Sequence, residues 1–502
     1  MKEILSIAYA AVLIGMMFFA VHRLKMIYLY ARHSRRRPPP PPLDPARAPK
    51  VCIQCPLYNE PLVVTQLLEK VTAIRWPAGK LEIQILDDSD DDTTASVADW
   101  LAARPDRAAA VRHIRRPDRG GYKAGALAHG MTLSDAEFFA IFDADFLPEP
   151  GFLETLMPRF ADPKIAVVQA RWDFANRHAS LVTRFQGIFL DAHFVIEQEA
   201  RHASGRFFNF NGTAGIWRRA ALEDAGGWSA DTVTEDLDLS YRAQLRGWKF
   251  VYLPDYAVAS ELPENMTAFK SQQRRWAKGA MQVARRQLRD VLAARLPLKV
   301  KTEAVSHLLV GLVHPVLLAF ALLFVPYLVL RDEGVFTGFW NAFDPLTVLL
   351  LGCGTAVFYI TAQYLRRREW REAALWFLTS PLMLAFGLAL SVSCCFAVVE
   401  GLFLRGGEFV RTPKGGKRLH VGSVLGRLRA RSIFAAITVV ELLYGALMLW
   451  GMVHFLDEGD TGIAIVLAVK AAAFCGMALL TAKDLLARPR PVPQAAAAPA
   501  KA

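Results

Sequence analysis

Three groups of residues between Phe207 and Gly279 have the types and spacing for chemistry. Phe210-Asn211-Gly212-Thr213 is a small turn built around a glycine. Thr234-Glu235-Asp236 sets a carboxylate pair behind a threonine at a helix start. Gln272-Gln273-Arg274-Arg275-Trp276 joins cations to an indole, with Gln272 and Trp276 four residues apart on one helical face. A carboxylate within hydrogen-bond reach of a sugar hydroxyl can act as general base, so Asp236 is the candidate base. The Trp276 face is a platform for a pyranose ring, and Arg275 can neutralise a leaving diphosphate. The groups together describe a site that handles sugars and phosphates.

Acidic residues upstream extend that site. Asp143-Ala144-Asp145 places two carboxylates where, with phosphate oxygens, they can hold Mg²⁺ or Mn²⁺. Asp87 and Asp88 can accept hydrogen bonds from a base or ribose, and Tyr58 can stack on the base. Lys123, in Gly120-Gly121-Tyr122-Lys123-Ala124-Gly125, stands at a glycine-flanked helix start where a cation and free N–H groups meet a diphosphate. Each motif has a plainer explanation. Capping accounts for Thr234-Glu235-Asp236, D-x-D recurs by chance, and a helix at a membrane interface carries Arg and Trp without any substrate. Their order in one chain favours function.

The elements that hold these residues read as strand and helix in alternation. Strands are predicted at Val51–Cys55, Leu81–Leu86, Val111–Arg115 and Phe138–Phe142. Helices are predicted at Leu62–Ile74, Thr93–Ala103 and Ala124–Thr132. This rhythm implies a mainly parallel, doubly wound α/β sheet, which binds ligands at the carboxyl ends of its strands. Tyr58-Asn59-Glu60, Asp87-Asp88 and Asp143-Ala144-Asp145 all fall at such ends.

Apolar segments flank this domain. The chain has 502 residues, 53% of them hydrophobic, unevenly spread. Residues 4–21 read as an uncleaved anchor rather than a signal peptide, because a basic stretch and no A-x-A site follows. The expected organisation is an anchor over 1–22, a basic, Pro-rich spacer over 23–49, the catalytic domain over 50–265 and interfacial amphipathic helices over 266–300. A multi-span region over 301–487 and a disordered tail over 488–502 complete it. Basic residues beside the spans, and the basic loop 405–433, put the catalytic domain on the cytoplasmic side of a multi-pass membrane protein. The segment 373–404 sits between two basic loops, so it is either a tight pair broken near Ser380-Pro381 or partly interfacial. The net charge of +12 is ascribed to membrane lipid and not to nucleic acid. The six cysteines form no disulfide framework or zinc site, and Cys52 and Cys55 read as small core residues.

In this order, Asp88, Asp143-Ala144-Asp145, Thr234-Glu235-Asp236 and Gln272–Trp276, the chain resembles the processive family 2 glycosyltransferases, the cellulose, hyaluronan and chitin synthases. Phe210–Arg218, Ala225-Gly226-Gly227-Trp228 and Gly247-Trp248-Lys249-Phe250 look closer still to plant cellulose-synthase-like mannan and glucan synthases. The resemblance implies a GT-A fold, a nucleotide-diphosphate sugar donor such as UDP-glucose or GDP-mannose, and an inverting displacement. It assigns Tyr58, Glu60, Asp87, Asp88 and Lys123 to the donor nucleotide, and Asp143 and Asp145 to diphosphate and metal. Asp236, with Glu235 beside it, becomes the catalytic base. Arg275 falls to the donor diphosphate, and Gln272, Trp276, Phe210, Asn211, Gly212 and Thr213 to the acceptor. Phe409, Thr412 and Lys414 match the gating loop of cellulose synthases, with Arg411 and Pro413 departing from its pattern. The expected function is transfer of glucose or mannose to a growing β-linked polysaccharide coupled to export. A glycolipid synthase is the alternative and a non-catalytic export channel the remote one.

Overall fold

The computed structural model describes residues 2–34, 40, 42–334, 339–404, 406–407 and 424–486, with backbone alone for 2, 339–351, 372 and 424–430. The chain opens with α1 (Lys2–His33), an unbroken helix that continues past residue 22, where the anchor was expected to end. Its outward residues Ile4, Ile7, Ile14, Phe18 and Val21 are exposed, as a lipid-facing helix requires.

The alternating segment folds in the expected rhythm. It comprises β1 (Val51–Leu57), α2 (Val64–Thr72), β2 (Leu81–Asp87), α3 (Thr93–Ala103), the single turn α4 (Pro105–Ala108), β3 (Val111–Arg115), α5 (Tyr122–Thr132) and β4 (Phe138–Ile141). Then follow α6 (Phe152–Leu156), β5 (Ile165–Phe174), α7 (Leu181–Asp191), a π-helical turn (Ala192–Glu197) and α8 (Gln198–Ala203). β6 (Gly215–Arg218), α9 (Arg219–Asp224), α10 (Glu235–Leu245) and β7 (Lys249–Ser260) close the sheet.

The strand order is β3-β2-β1-β4-β6-β5-β7. All pairs are parallel except those of β6, which runs antiparallel to β4 and β5. Val51, Cys52, Ile53 and Cys55 of the central β1 are fully buried, because helices cover both faces of the sheet. The chain leaves β1 toward β2 on one side and places β4 on the other. A crevice therefore opens at the carboxyl ends of β1 and β4.

Beyond the sheet, Asn265 caps α11 (Met266–Ala293) by accepting from Ala268 N. Then come α12 (Leu298–Leu308), α13 (Val313–Asp332), α14 (Phe339–Arg367), α15 (Trp370–Phe403), α16 (Val424–Asp457) and α17 (Thr461–Leu486). Five helices among the described residues are long and apolar enough to cross a membrane, with such stretches at Glu3–His33, Val310–Asp332, Ala373–Phe403, Arg431–Asp457 and Thr461–Leu486.

The interfacial segment, expected as one or two helices, holds one long helix, α11, which is buried along much of its length between α10 and the apolar helices. α15 is not a broken pair, because the helix runs unbroken through Pro381. It lies beside α11 in the same direction. Phe386 stacks on Phe269 at 6.0 Å, Arg274 reaches Ser393 O and Glu400 Oε1 at 2.9 Å each, and Gly401 packs on Met281. Both basic flanks of α15 thus meet the catalytic domain or α11: Arg366 meets Asp191 at 3.4 Å, and Gln282 Nε2 donates to Gly406 O at 2.7 Å. The gating-loop residues Phe409, Thr412 and Lys414, most of the proline run and the tail after Leu486 lie outside the described residues.

Candidate active site

The crevice at the strand ends is a cleft of about 1160 Å³, counted to its open mouth. Tyr58, Glu60, Asp88, Lys123, Asp143, Asp145, Asn211, Gly212, Glu235, Asp236, Gln272, Arg275 and Trp276 all line it. Residues more than 200 positions apart are brought together because β1, β4, the start of α10 and one turn of α11 open onto the same space.

Lys123 is fixed by its helix start. Gly121 takes φ +70°, and a Cβ at Gly125 would stand 2.0 Å from Gly120 O, so only glycine permits the turn that opens α5. From there Lys123 Nζ donates to Asp143 Oδ1 at 2.5 Å and to Gly212 O at 2.9 Å, with Glu235 Oε1 at 4.0 Å. Burial works against the charge of Lys123, but Asp143 and Glu235 overcome it and hold the ammonium above its usual range. Burial likewise lowers Arg275, opposed by Glu235, Asp236 and Asp143.

Asp236 sits among these groups at the first turn of α10. Burial and the neighbouring Glu235 push its carboxyl up to about 7, against the pull of Lys123 and Arg275. Its Oδ1 accepts from Leu237 N at 2.8 Å. The Thr234 side chain caps nothing; its buried Oγ1 has no hydrogen-bond partner among the described residues and Thr234 lines the cleft, so capping does not explain this motif. Gln272 Oε1, also at the cleft, is likewise unpartnered. A carboxyl poised near neutrality in a cleft with two cations is the arrangement a general base requires.

Three residues expected at the site stand behind it. Asp87, the last residue of β2, points to the opposite face from Asp88, as successive strand residues do. It accepts from Ser89 N, Thr94 Oγ1 and His113 Nε2 at 2.9, 2.7 and 2.9 Å. Burial opposes its charge, but these bonds bring Asp87 down to about 2 and leave it a structural role. Phe210 is fully buried against Trp217 and Trp228 and does not line the cleft. Thr213 is also buried and outside it; its Oγ1 accepts from Asp143 N at 2.9 Å and so sets the Asp143 backbone.

Other residues at the cleft or holding its lining in place were not singled out in the sequence. Arg119 places its guanidinium 3.2 Å from the centroid of the Tyr58 ring. Arg116 grips Asp88 with two bonds, Nε to Oδ1 at 3.0 Å and Nη2 to Oδ2 at 2.5 Å. The glycine run beside Arg119 was the available signal, and it pointed to Lys123. Trp172, Leu190 and Leu262 add apolar wall.

The donor atoms offered to a metal are the carboxylates of Asp143, 35% exposed, and Asp145. No three His, Cys, Asp or Glu side chains among the described residues converge as a ligand set. Two hard oxygen ligands facing an open cleft fit Mg²⁺ or Mn²⁺ whose shell is completed by phosphate and water.

Residues 49–279 match the sequence profile described as glycosyltransferase like family 2. Glucomannan 4-beta-mannosyltransferase 7 of Arabidopsis thaliana is 34% identical over 451 residues, which take in 86% of this chain and 76% of that protein. The chain belongs to glycosyltransferase-like family 2. Probable glucomannan 4-beta-mannosyltransferase 7 of Oryza sativa subsp. japonica is 44% identical over 256 residues, but that match spans less than half of its length, 43%. The fold is shared with the mannosyltransferase PcManGT of Pyrobaculum calidifontis, solved in complex with GDP-Man and Mn²⁺. That match has a TM-score of 0.52 at 19% identity, over 80% of this chain and 99% of the other.

Proposed function

We propose that the protein is a membrane-embedded, inverting hexosyltransferase that moves mannose from GDP-mannose to the end of a β-linked glycan. The observation that carries this is the meeting of Asp236, pushed up to about 7, with Asp143, Lys123 and Arg275 in one cleft. The choice of mannose over glucose is supported by the plant relatives, named as 4-beta-mannosyltransferases. The resemblance to processive synthases supports a polymer product and its export.

Tyr58, Glu60 and Asp88 receive the nucleoside, with Arg116 holding Asp88 in place. Lys123 and Arg275 flank the diphosphate. Trp276 and Gln272 seat the acceptor ring so that its hydroxyl lies at Asp236. Asp236 takes the hydroxyl proton as that oxygen attacks the anomeric carbon from the side opposite the diphosphate. The C–O bond to the diphosphate breaks, and the configuration inverts. Lys123 and Arg275 stabilise the charge that appears on the leaving group. Asp143 and Asp145 would hold the divalent ion, which supplies further neutralisation of the diphosphate when bound.

α1, α13, α14, α16 and α17 serve as spans with the catalytic domain on the cytoplasmic side, and α15 lies along α11 at the interface. The contacts of Phe386, Ser393 and Gly401 with α11 support that placement.

The test is incorporation of label by the purified protein in lipid, given GDP-mannose or UDP-glucose separately. High-mass product from GDP-mannose that resists organic extraction and is cut by a β-mannanase is expected. Product of one or two sugars that moves wholly into the organic phase would overturn the polysaccharide reading in favour of a glycolipid.

A further inference from the structure

A groove of about 970 Å³, counted to its open mouth, runs along α1 beside α12 and shares no residue with the cleft. Its apolar part is Leu13, Ile14, Met17, Phe18 and Val21, a stripe at helical spacing on the first apolar span. Ile14, Phe18 and Val21 are 64%, 52% and 55% exposed, so none of the described elements covers this stripe.

At one end the lining changes character. His22 and Lys25 of α1 and Thr302 and Ser306 of α12 take over from the apolar residues. This end faces the catalytic domain, because Glu303 of α12 joins His22 and Lys25 to Arg201 of α8. From Leu13 to Val21 the helix rises about 12 Å, close to the roughly 15 Å of hydrocarbon in one leaflet. The polar end therefore stands at the depth of the headgroups, and the apolar stripe at the depth of one acyl chain.

The charges at that end add a second observation. Glu303 is fully buried, and its Oε1 meets His22 Nε2 at 2.9 Å and Arg201 Nε at 3.2 Å. Lys25 Nζ donates to Glu303 Oε2 at 2.7 Å, yet its side chain is 34% exposed. An ammonium carries three N–H donors, so two of them are left to face the groove. The carboxylate lies behind the lysine, and no Asp or Glu lines the groove. Lys299 adds an exposed cation on the face of α12 that carries Thr302 and Ser306. An apolar channel one leaflet deep, ending in cations and hydroxyls, is complementary to a molecule with a fatty chain and an anionic phosphate.

We infer that this groove holds one anionic phospholipid from the leaflet on the catalytic-domain side. An acyl chain lies along Leu13–Val21, and the phosphate is held by Lys25, Thr302 and Ser306. The bound phosphate braces the joint that Glu303 and Arg201 make between α1 and the catalytic domain. The inference rests on α1 being a span and is independent of the transfer reading.

The experiment places the full chain in phosphatidylcholine bilayers with a trace of phosphatidylglycerol or phosphatidylcholine, each carrying a diazirine in one acyl chain. After illumination, adducts are mapped by peptide mass spectrometry. Labelling of residues 13–21 is divided by labelling around the exposed Leu442 and Leu443 of α16. That ratio is expected to be about fivefold higher or more for phosphatidylglycerol than for phosphatidylcholine. Lys25→Gln should abolish the preference. Thr302→Val with Ser306→Ala, which leaves every partner of Glu303 in place, should weaken it. Thermal melting checks that each variant is folded. Equal ratios for the two lipids would mean ordinary annular contact and overturn the site. A preference that survives both variants would overturn the assignment of the phosphate to these residues. Unlabelled 13–21 in a chain that behaves as a dimer would mean that a second copy fills the groove.

Discussion

Gly212 lies against the Asp236 carboxylate: a Cβ at Gly212 would stand 2.9 Å from Asp236 Oδ2. The same glycine takes φ +83° and gives its carbonyl to Lys123. The turn that reads as a small loop in the sequence therefore fixes both the base and the lysine.

Gly212→Ala should accordingly lower kcat by about 10–10²-fold, because a misplaced reacting group is costly even at small displacements. The strain of an alanine at positive φ adds only a modest loss of stability, on the order of 1 kcal/mol. Steady-state kinetics beside a thermal melt separate the two. A variant with normal kcat would show that the contact does not position Asp236.

The elevated pKa of Asp236 sets a pH dependence. A general base works deprotonated, so activity should rise with pH through about 7 and fall away below it. Glu235→Gln removes the neighbouring negative charge and should move that limb to lower pH. Stability carries the opposite sign. A carboxyl whose folded pKa exceeds its unfolded value binds its proton more tightly when folded, so ionising it costs stability as pH rises from about 4 to about 7. Asp236→Asn should therefore melt a few degrees above wild type near pH 8 and close to it near pH 4. Profiles of kcat/KM and melting temperature against pH check both limbs.

The sheet and its motifs were largely legible, for definite reasons. Thr93–Ala103 and Val111–Arg115 begin and end where the pattern put them, because punctuating residues and apolar periodicity agree there. β6 has only four residues, too few to show a period, and its antiparallel pairing depends on neighbours remote in sequence. Asp87 and Asp88 look alike in the sequence, and only the face of β2 on which the cleft opens tells them apart. Arg119 meets Tyr58 across a gap that no local pattern spans. α15 was ambiguous because burial against α11 and burial in lipid call for the same apolar residues, and the single proline at Pro381 leaves its helix intact.

Lys270 of α11 and Glu441 of α16 form a wholly buried ion pair at 2.6 Å, with Thr481 of α17 also bonded to the ammonium at 2.7 Å. Removing one partner strands the other's charge in the interior. Lys270→Met alone should cost about 3–5 kcal/mol, whereas Lys270→Met with Glu441→Leu should recover most of that. Melting of the two variants in the same detergent decides it. Equal destabilisation by both would mean that the pair does not join α11 to the apolar helices through its charges.

The most direct test of the account is Asp236→Asn at saturating GDP-mannose and acceptor, with donor affinity measured separately. The account predicts a fall in kcat of at least about 10²–10⁴-fold with donor binding retained. A near-wild-type rate in that variant would contradict it and remove Asp236 as the base.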